Sequence, residues 1–412
     1  MHANSYEKTI EWLFQQFPSY QLIGSKAYKP TLENISKLCS LIGNPEKELR
    51  FIHIAGTNGK GSCSAMLASI LKESGEKVGL FTSPHIKDFR ERIRVNGEMI
   101  NELDVVSFVE KIRSYDLDFE PSFFEITFAM ALYYFSKSAC SICVIETGLG
   151  GRLDATNIIR PLVCLITNIS LEHTQILGNT LEEIAGEKAG IIKTDIPVVI
   201  GETRPETEQV FKDAAKSKNA PLYFANKIVS KDRVEQFNLP LLGFYQVNNL
   251  RSVLTVLKVL PSSFSEITDA TIQSGLNNLY PNTGFFGRMQ IMKRDPLLIF
   301  DVSHNIDGIK ATLNYVSGNL EGELYILYGS SSDKDVLSIL QLLPDSAKLH
   351  LTCFNNQRSL SQKQLIDLAM KAGISAEIHS EAQKGLEVIL SNAKAKDTVL
   401  VFGSFFLLSD LV

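Results

Sequence analysis

Apolar positions along this chain fall into two alternating rhythms. Short unbroken runs, "RFIHIAG" at 50–56, "KVGLFTS" at 77–83, "SICVIET" at 141–147, "LVCLITNI" at 162–169 and "IPVVIG" at 196–201, have the length and β-branched content of strands buried on both faces. Between them lie helical stretches. "TLENISKLCSLIG" places Leu32, Ile35, Leu38 and Ile42 on one face and stops at Gly43, and "SCSAMLASILKESG" stops at Gly75. "FFEITFAMALYYFSK" is apolar all round, which predicts a helix enclosed between layers, and "TLEEIAGEKAGIIK" is a further helix. Strands alternating with helices predict an α/β fold with a doubly wound, mainly parallel sheet.

The alternation restarts after "GFFGRMQ" with strands "LLIFDVS", "ELYILYG", "KLHLTCF" and "TVLVFGS" separated by helices, so a smaller α/β unit follows the first. Gly284, Gly287 and Pro296 punctuate the boundary, and the domains expected are 1–288 and 289–412. The length of 412 residues suits two cores better than one. A net charge of −5 gives no electrostatic case for nucleic acid or an anionic membrane surface. The N-terminal stretch lacks a signal-peptide pattern, and no apolar run spans a bilayer. Cys140 and Cys143 form a C-x-x-C inside an apolar strand without a second pair, so buried thiols are expected rather than a redox or metal centre. These features favour a cytoplasmic protein.

The candidate chemistry begins at "HIAGTNGKGSCSAML". Strand, glycine-rich turn and helix is the context of a phosphate-binding loop, in which backbone N–H groups and the helix N-terminus cradle phosphates while a lysine reaches outward. Gly56, Thr57, Asn58, Gly59, Lys60, Gly61 and Ser62 are the nucleotide-binding candidates; an ordinary turn with an exposed lysine is the alternative. Lys60 is followed by Gly61, so the hydroxyl that normally holds magnesium is missing. Ser83 ends a strand in "FTSPH", Glu146 ends another before "GLGG", and His173 lies just beyond a third, although each also admits a purely structural role.

"GTNGKGS", "TSPH", "GLGGRLDATN", "EHTQILGNTLEEIAGEKAGI", "GFYQVNN", "GRMQ" and "DVSHN" occur in the order seen in folylpolyglutamate and dihydrofolate synthases, folate-specific members of the Mur ligase superfamily, and the chain resembles that family from about residue 20 onward. The resemblance implies that Mg²⁺ is held by Ser83, Glu146 and His173 in place of the missing hydroxyl. It implies that Lys188 is carbamylated, that Asn249, Arg288 and Asp301 contact ATP, and that His304 and Ser404 face the incoming glutamate. Arg288 is expected to reach the phosphates on domain closure, and Lys60, Lys188 and His304 are the catalytic candidates. Lys29, Pro30, Thr31, Arg92, Phe123, Phe124, Glu125 and Arg152 match positions expected around the folate. Read without the family, Lys188 is a solvated helix lysine.

The implied reaction is ATP-dependent ligation of L-glutamate to the carboxylate of dihydropteroate or a reduced folate through an acyl phosphate, by a bifunctional enzyme or one restricted to polyglutamylation, and by a monomer. Two other classes stay open: a P-loop NTPase driving a partner protein, and an inert folate- or nucleotide-binding module. The chain departs from the family pattern at Glu172, where Asp is usual, at Ile306, where Pro often stands, and at Lys29-Pro30-Thr31, which replaces the D-L-G of bifunctional bacterial relatives.

Overall fold

The structure is a computed structural model and describes residues 3–17, 30–264 and 267–412. It separates into two compact units. Residues up to Pro240 join with Gln246–Phe285, and Leu241–Tyr245 join with Phe286–Val412. The second unit therefore begins three residues ahead of the boundary expected after Arg288. The reason is local: Gly287 and Met289 already bond into the second unit, through Val302 N to Gly287 O at 2.8 Å and Met289 N to Asp301 Oδ2 at 2.8 Å. Leu242 and Tyr245 likewise pack on the second core.

The first unit holds one eight-stranded sheet. In chain order the strands are β1 (Phe51–Ala55), β2 (Val78–Phe81), β3 (Ile93–Val95), β4 (Glu98–Met99), β5 (Ile142–Glu146), β6 (Val163–Ile166), β7 (Val198–Ile200) and β8 (Leu222–Phe224). Their spatial order is β4-β3-β2-β5-β1-β6-β7-β8, and only β3 runs against the others, antiparallel to both β2 and β4. Every residue of β1, β2, β5, β6 and β7 is buried, as the unbroken apolar runs require. β1 lies between β5 and β6, so the chain crosses it in passing from one to the other. The loops leaving β5 and β6 thus flank the loop leaving β1, at the sheet edge where α/β proteins collect ligands.

The second unit contains β9 (Gln290–Lys293), β10 (Leu297–Asp301), β11 (Leu324–Tyr328), β12 (Lys348–Thr352), β13 (Glu377–His379) and β14 (Thr398–Phe402) in the order β13-β12-β11-β14-β10-β9. Only β9 is antiparallel; its short, half-exposed pattern is invisible to a reading based on apolar runs. All six cysteines are free thiols, and Cys140 and Cys143 are buried. Among the described residues no helix is long and apolar enough to cross a membrane.

The all-round apolar helix is Phe123–Lys137, closed at its start by a capping box between Ser122 and Glu125. Phe128 sits at its centre without solvent contact, its ring 5.2 Å from that of Phe81 on β2. Phe128→Ala is expected to cost about 3–5 kcal/mol in the unfolding transition of the first unit, because the cavity lies between helix and sheet and neither collapses freely. A urea midpoint indistinguishable from that of the parent protein would show the contact to be dispensable.

Candidate active site

β1 runs directly into Gly56-Thr57-Asn58-Gly59 and the helix Lys60–Glu73. The segment leaving β6 braces this loop. Thr57 N donates to Asn168 O at 3.0 Å, Asn58 N to Asn168 Oδ1 at 2.8 Å, and Thr167 Oγ1 to Asn58 O at 2.6 Å. Ser170 N donates to Thr57 Oγ1 at 3.0 Å, which fixes the strand-exit segment carrying His173 to the loop. Gly59 has φ +83, and a β-carbon there would collide with Asn249 Oδ1, so glycine is required twice over.

The three metal-ligand candidates follow β2, β5 and β6, whose exits share the sheet edge with the loop leaving β1. Ser83 follows β2, two residues beyond Phe81, which pairs with Ile145 of β5. Glu146 closes β5 opposite Ile54 and is buried. His173 holds a left-handed backbone, φ 52, with Nε2 3.9 Å from Glu172 Oε1. A non-glycine residue held in that region marks a conformation fixed by its surroundings. A buried carboxylate, a hydroxyl and an imidazole at one phosphate-binding edge fit a divalent cation.

Lys188 departs most from its appearance in the sequence. It is only 4% exposed, near the end of helix Leu181–Ala189. Its Nζ donates to Gly56 O at 3.0 Å, and Lys60 Nζ donates to the same oxygen at 3.0 Å and to Thr57 O at 3.1 Å. Burial first, and repulsion from Lys60 second, push the Lys188 amine down to about 7, against the pull of Glu172 and Asp154. A neutral amine is therefore accessible at physiological pH.

The positions expected around a folate divide. Lys29 lies outside the described residues. Pro30 is exposed, and Thr31 Oγ1 accepts from Glu33 N at 3.2 Å. Phe123 is buried in the core, stacked on Phe14 at 4.7 Å, and Glu125 Oε2 accepts from Ser122 N at 2.6 Å. Phe124 is half-buried, and the absence of a β-carbon at Gly148 lets the "GLGG" loop lie against its ring. Arg92 is buried, donates through Nε to His85 Nδ1 at 2.8 Å, and lies over the Phe123 ring at 5.4 Å. Burial lowers its guanidinium to about 10, so it stays charged at neutral pH. Arg152 is exposed and paired with Glu187 at 2.8 Å.

Within the second unit, Arg288 lies 5.3 Å over the Phe405 ring, and the His304 ring is 5.9 Å from the same ring. His304 Nδ1 is 2.8 Å from Val302 O, and Ser404 Oγ accepts from Phe406 N at 3.2 Å. Asp301 ends β10 with both oxygens engaged, by Met289 N and Ser303 N at 2.8 Å each, so its carboxylate fixes the loops that carry Arg288 and His304.

Residues 54–257 match the Mur ligase middle domain, and residues 287–405 match the Mur ligase glutamate ligase domain. The dihydrofolate synthase/folylpolyglutamate synthase of Bacillus subtilis (strain 168) is 34% identical over 412 residues, which cover 93% of this chain and 94% of that protein. The chain belongs to the dihydrofolate synthase/folylpolyglutamate synthase family of Mur ligases. It is an ATP-dependent ligase by class. The fold matches E. coli FolC in complex with DHPP and ADP, with a TM-score of 0.83, 29% identity and coverage of 98% of this chain and 96% of that one. It also matches the bifunctional folylpolyglutamate synthase/dihydrofolate synthase of Yersinia pestis complexed with AMPPNP and Mn ion, with a TM-score of 0.82, 28% identity and coverage of 98% and 97%.

Sequence reading missed one residue of this Mur ligase loop. Gln246 begins helix Gln246–Val259, is fully buried, donates from Nε2 to Ser62 Oγ at 3.2 Å and accepts from Asn249 Nδ2 at 2.8 Å. Its position three residues before Asn249, on the same helix face, was the available signal. Gln246→Ala leaves Ser62 and Asn249 short of a partner, a penalty of about 1–3 kcal/mol falling on the loop. ADP affinity, read by calorimetric titration, should drop roughly 10-fold. Unchanged affinity would mean that the loop holds its shape without this bridge.

Proposed function

We propose that this chain joins L-glutamate to the carboxylate of dihydropteroate and of reduced folates, so that one site serves both ligations. The observation that carries this reading is a braced phosphate-binding loop whose two lysines share one carbonyl, in a chain aligned almost end to end with bifunctional relatives. An oxygen of the substrate carboxylate attacks the γ-phosphorus of ATP, the bond to the β-phosphate oxygen breaks, and ADP leaves an acyl phosphate. The amine of glutamate then attacks the acyl carbon, the C–O bond to phosphate breaks, and the nitrogen loses a proton as the amide forms. The gain comes from positioning and charge neutralisation.

Lys60 and the loop amides of residues 56–62 hold the phosphates, with Asn249 supporting Gly59. Ser83, Glu146 and His173 would hold Mg²⁺, which would supply positive charge against that building on the phosphate oxygens. Arg288 supplies a guanidinium for the nucleotide, and His304 and Ser404 receive glutamate. Arg92 and Phe124, with Arg152 at the rim, serve the flat heterocycle and its anionic tail. Six free thiols and an ATP-consuming reaction suit a cytoplasmic enzyme.

Lys188 works as its carbamate. The neutral amine adds to CO₂, a C–N bond forms, one N–H proton is released, and an anion replaces a cation beside Lys60 and the metal. An ammonium there would repel both, so the exchange turns an unfavourable neighbour into a favourable one.

The decisive experiment supplies purified protein with ATP and glutamate, plus either dihydropteroate or tetrahydrofolate, and resolves products by mass. Both substrates should gain one glutamate residue with stoichiometric ADP. Glutamate addition to tetrahydrofolate alone would restrict the enzyme to polyglutamylation. ADP release that ignores glutamate and folate would return the chain to the class of NTPases that drive partners.

A further inference from the structure

The second unit carries a group of side chains to which the ligation assigns no task. On neighbouring parallel strands, His350 of β12 stands opposite Glu377 of β13, and His379 follows two residues later on the same face. His350 Nδ1 is 2.9 Å from His379 Nε2, with ring centroids 5.2 Å apart, so the imidazoles meet edge to edge, nitrogen to nitrogen. Glu377 Oε2 is 3.6 Å from His350 Nδ1, and its Oε1 is 3.9 Å from His379 Nε2. Both histidines are buried, whereas Glu377 is exposed.

We propose that His350, His379 and Glu377 form a binding site for a divalent transition ion of the Zn²⁺ class, separate from the magnesium site of the ligase. Three donors at 2.0–2.2 Å from one tetrahedral ion stand roughly 3.4 Å apart. His350 Nδ1 and His379 Nε2 stand 2.9 Å apart, and the two Glu377 oxygens lie 3.6 Å from the first and 3.9 Å from the second, so both rings turn toward a shared point and one carboxylate oxygen closes on it as the ion enters. Two imidazoles with one carboxylate select Zn²⁺, Co²⁺ or Ni²⁺ over the oxygen-seeking Mg²⁺.

The surroundings leave room for a fourth ligand. A cavity of about 650 Å³ is lined by His350 and Glu377 together with Asp345, Lys348, Ser375 and Asn392. Lys348, the nearest cation on β12, is turned to Glu323 at 2.5 Å and Tyr325 Oη at 3.0 Å, so its charge is already matched. The cavity opens at the start of β12 and β13, opposite the sheet edge where Asp301 and Ser404 end or follow their strands. Metal here would pin the three-residue edge strand β13 to β12 without touching the ligase residues of this unit.

The test is calorimetric titration of Zn²⁺ into the full-length protein in excess Mg²⁺, which fills sites preferring a hard cation. A parallel titration with Co²⁺ follows the visible absorption that tetrahedral coordination produces. One equivalent should bind with micromolar or tighter affinity, and saturation should raise the melting temperature by several degrees. Glu377→Gln, an exposed change that leaves the fold intact, should weaken binding about 10-fold or more. His350→Gln and His379→Gln should abolish both the intense Co²⁺ bands and the thermal shift, while ligase rates without added zinc stay within about twofold of the parent. No saturable equivalent up to millimolar metal, or an equivalent whose affinity is the same in folded Glu377→Gln, would overturn the site and leave an imidazole pair sharing one proton.

Discussion

Two ammonium groups converge on a single backbone oxygen at the heart of the first unit: Lys60 and Lys188 both donate to Gly56 O at 3.0 Å. One such cation is what a phosphate loop requires. A second, nearly sealed from water, is a like-charge neighbour in a medium that screens poorly. The arrangement is stable only if one of the pair gives up its charge or if anions occupy the loop, and the buried member is the one whose amine is pushed down to about 7. Much of the first unit serves this constraint. The residues after β6 fix the loop by five hydrogen bonds with Thr57 and Asn58, and Gln246 and Asn249 close it from the other side.

Much of this was legible in the sequence because it is local. An apolar run, a glycine-rich turn and a helix identify the loop, and the same strand-end logic makes Glu146 a candidate. What stayed hidden depends on contacts between distant segments. Lys188 reads as a surface lysine of a helix; its burial follows from packing against Gly56, 132 positions away. Phe123 and Glu125, candidates for the folate site, also pack the core and cap their own helix, roles that the local pattern does not reveal. The boundary moved to Phe286 because the Gly287 and Met289 backbone bonds are invisible to punctuation by glycine and proline.

The second unit shows the same division. Asp301, a candidate nucleotide contact, also holds the loops carrying Arg288 and His304 through both of its oxygens, a role that only the folded chain reveals. His350 lies too far before Glu377 and His379 for any spacing rule, and only the parallel pairing of β12 with β13 brings the three together. Sequence patterns thus reveal which strand ends face the ligand edge, and tertiary pairing decides which polar groups remain available there.

The central claim, that the paired lysines are resolved by chemical conversion of Lys188, can be read directly. Protein equilibrated with ¹³C-bicarbonate near pH 8, where an amine of pKa about 7 is roughly nine-tenths neutral, should show one protein-bound carbamate carbon resonance. That signal should fade as the pH falls through 7 to 6 and be missing from Lys188→Ala. A spectrum with no such resonance at pH 8 in active enzyme, or a resonance that survives Lys188→Ala, would contradict the account.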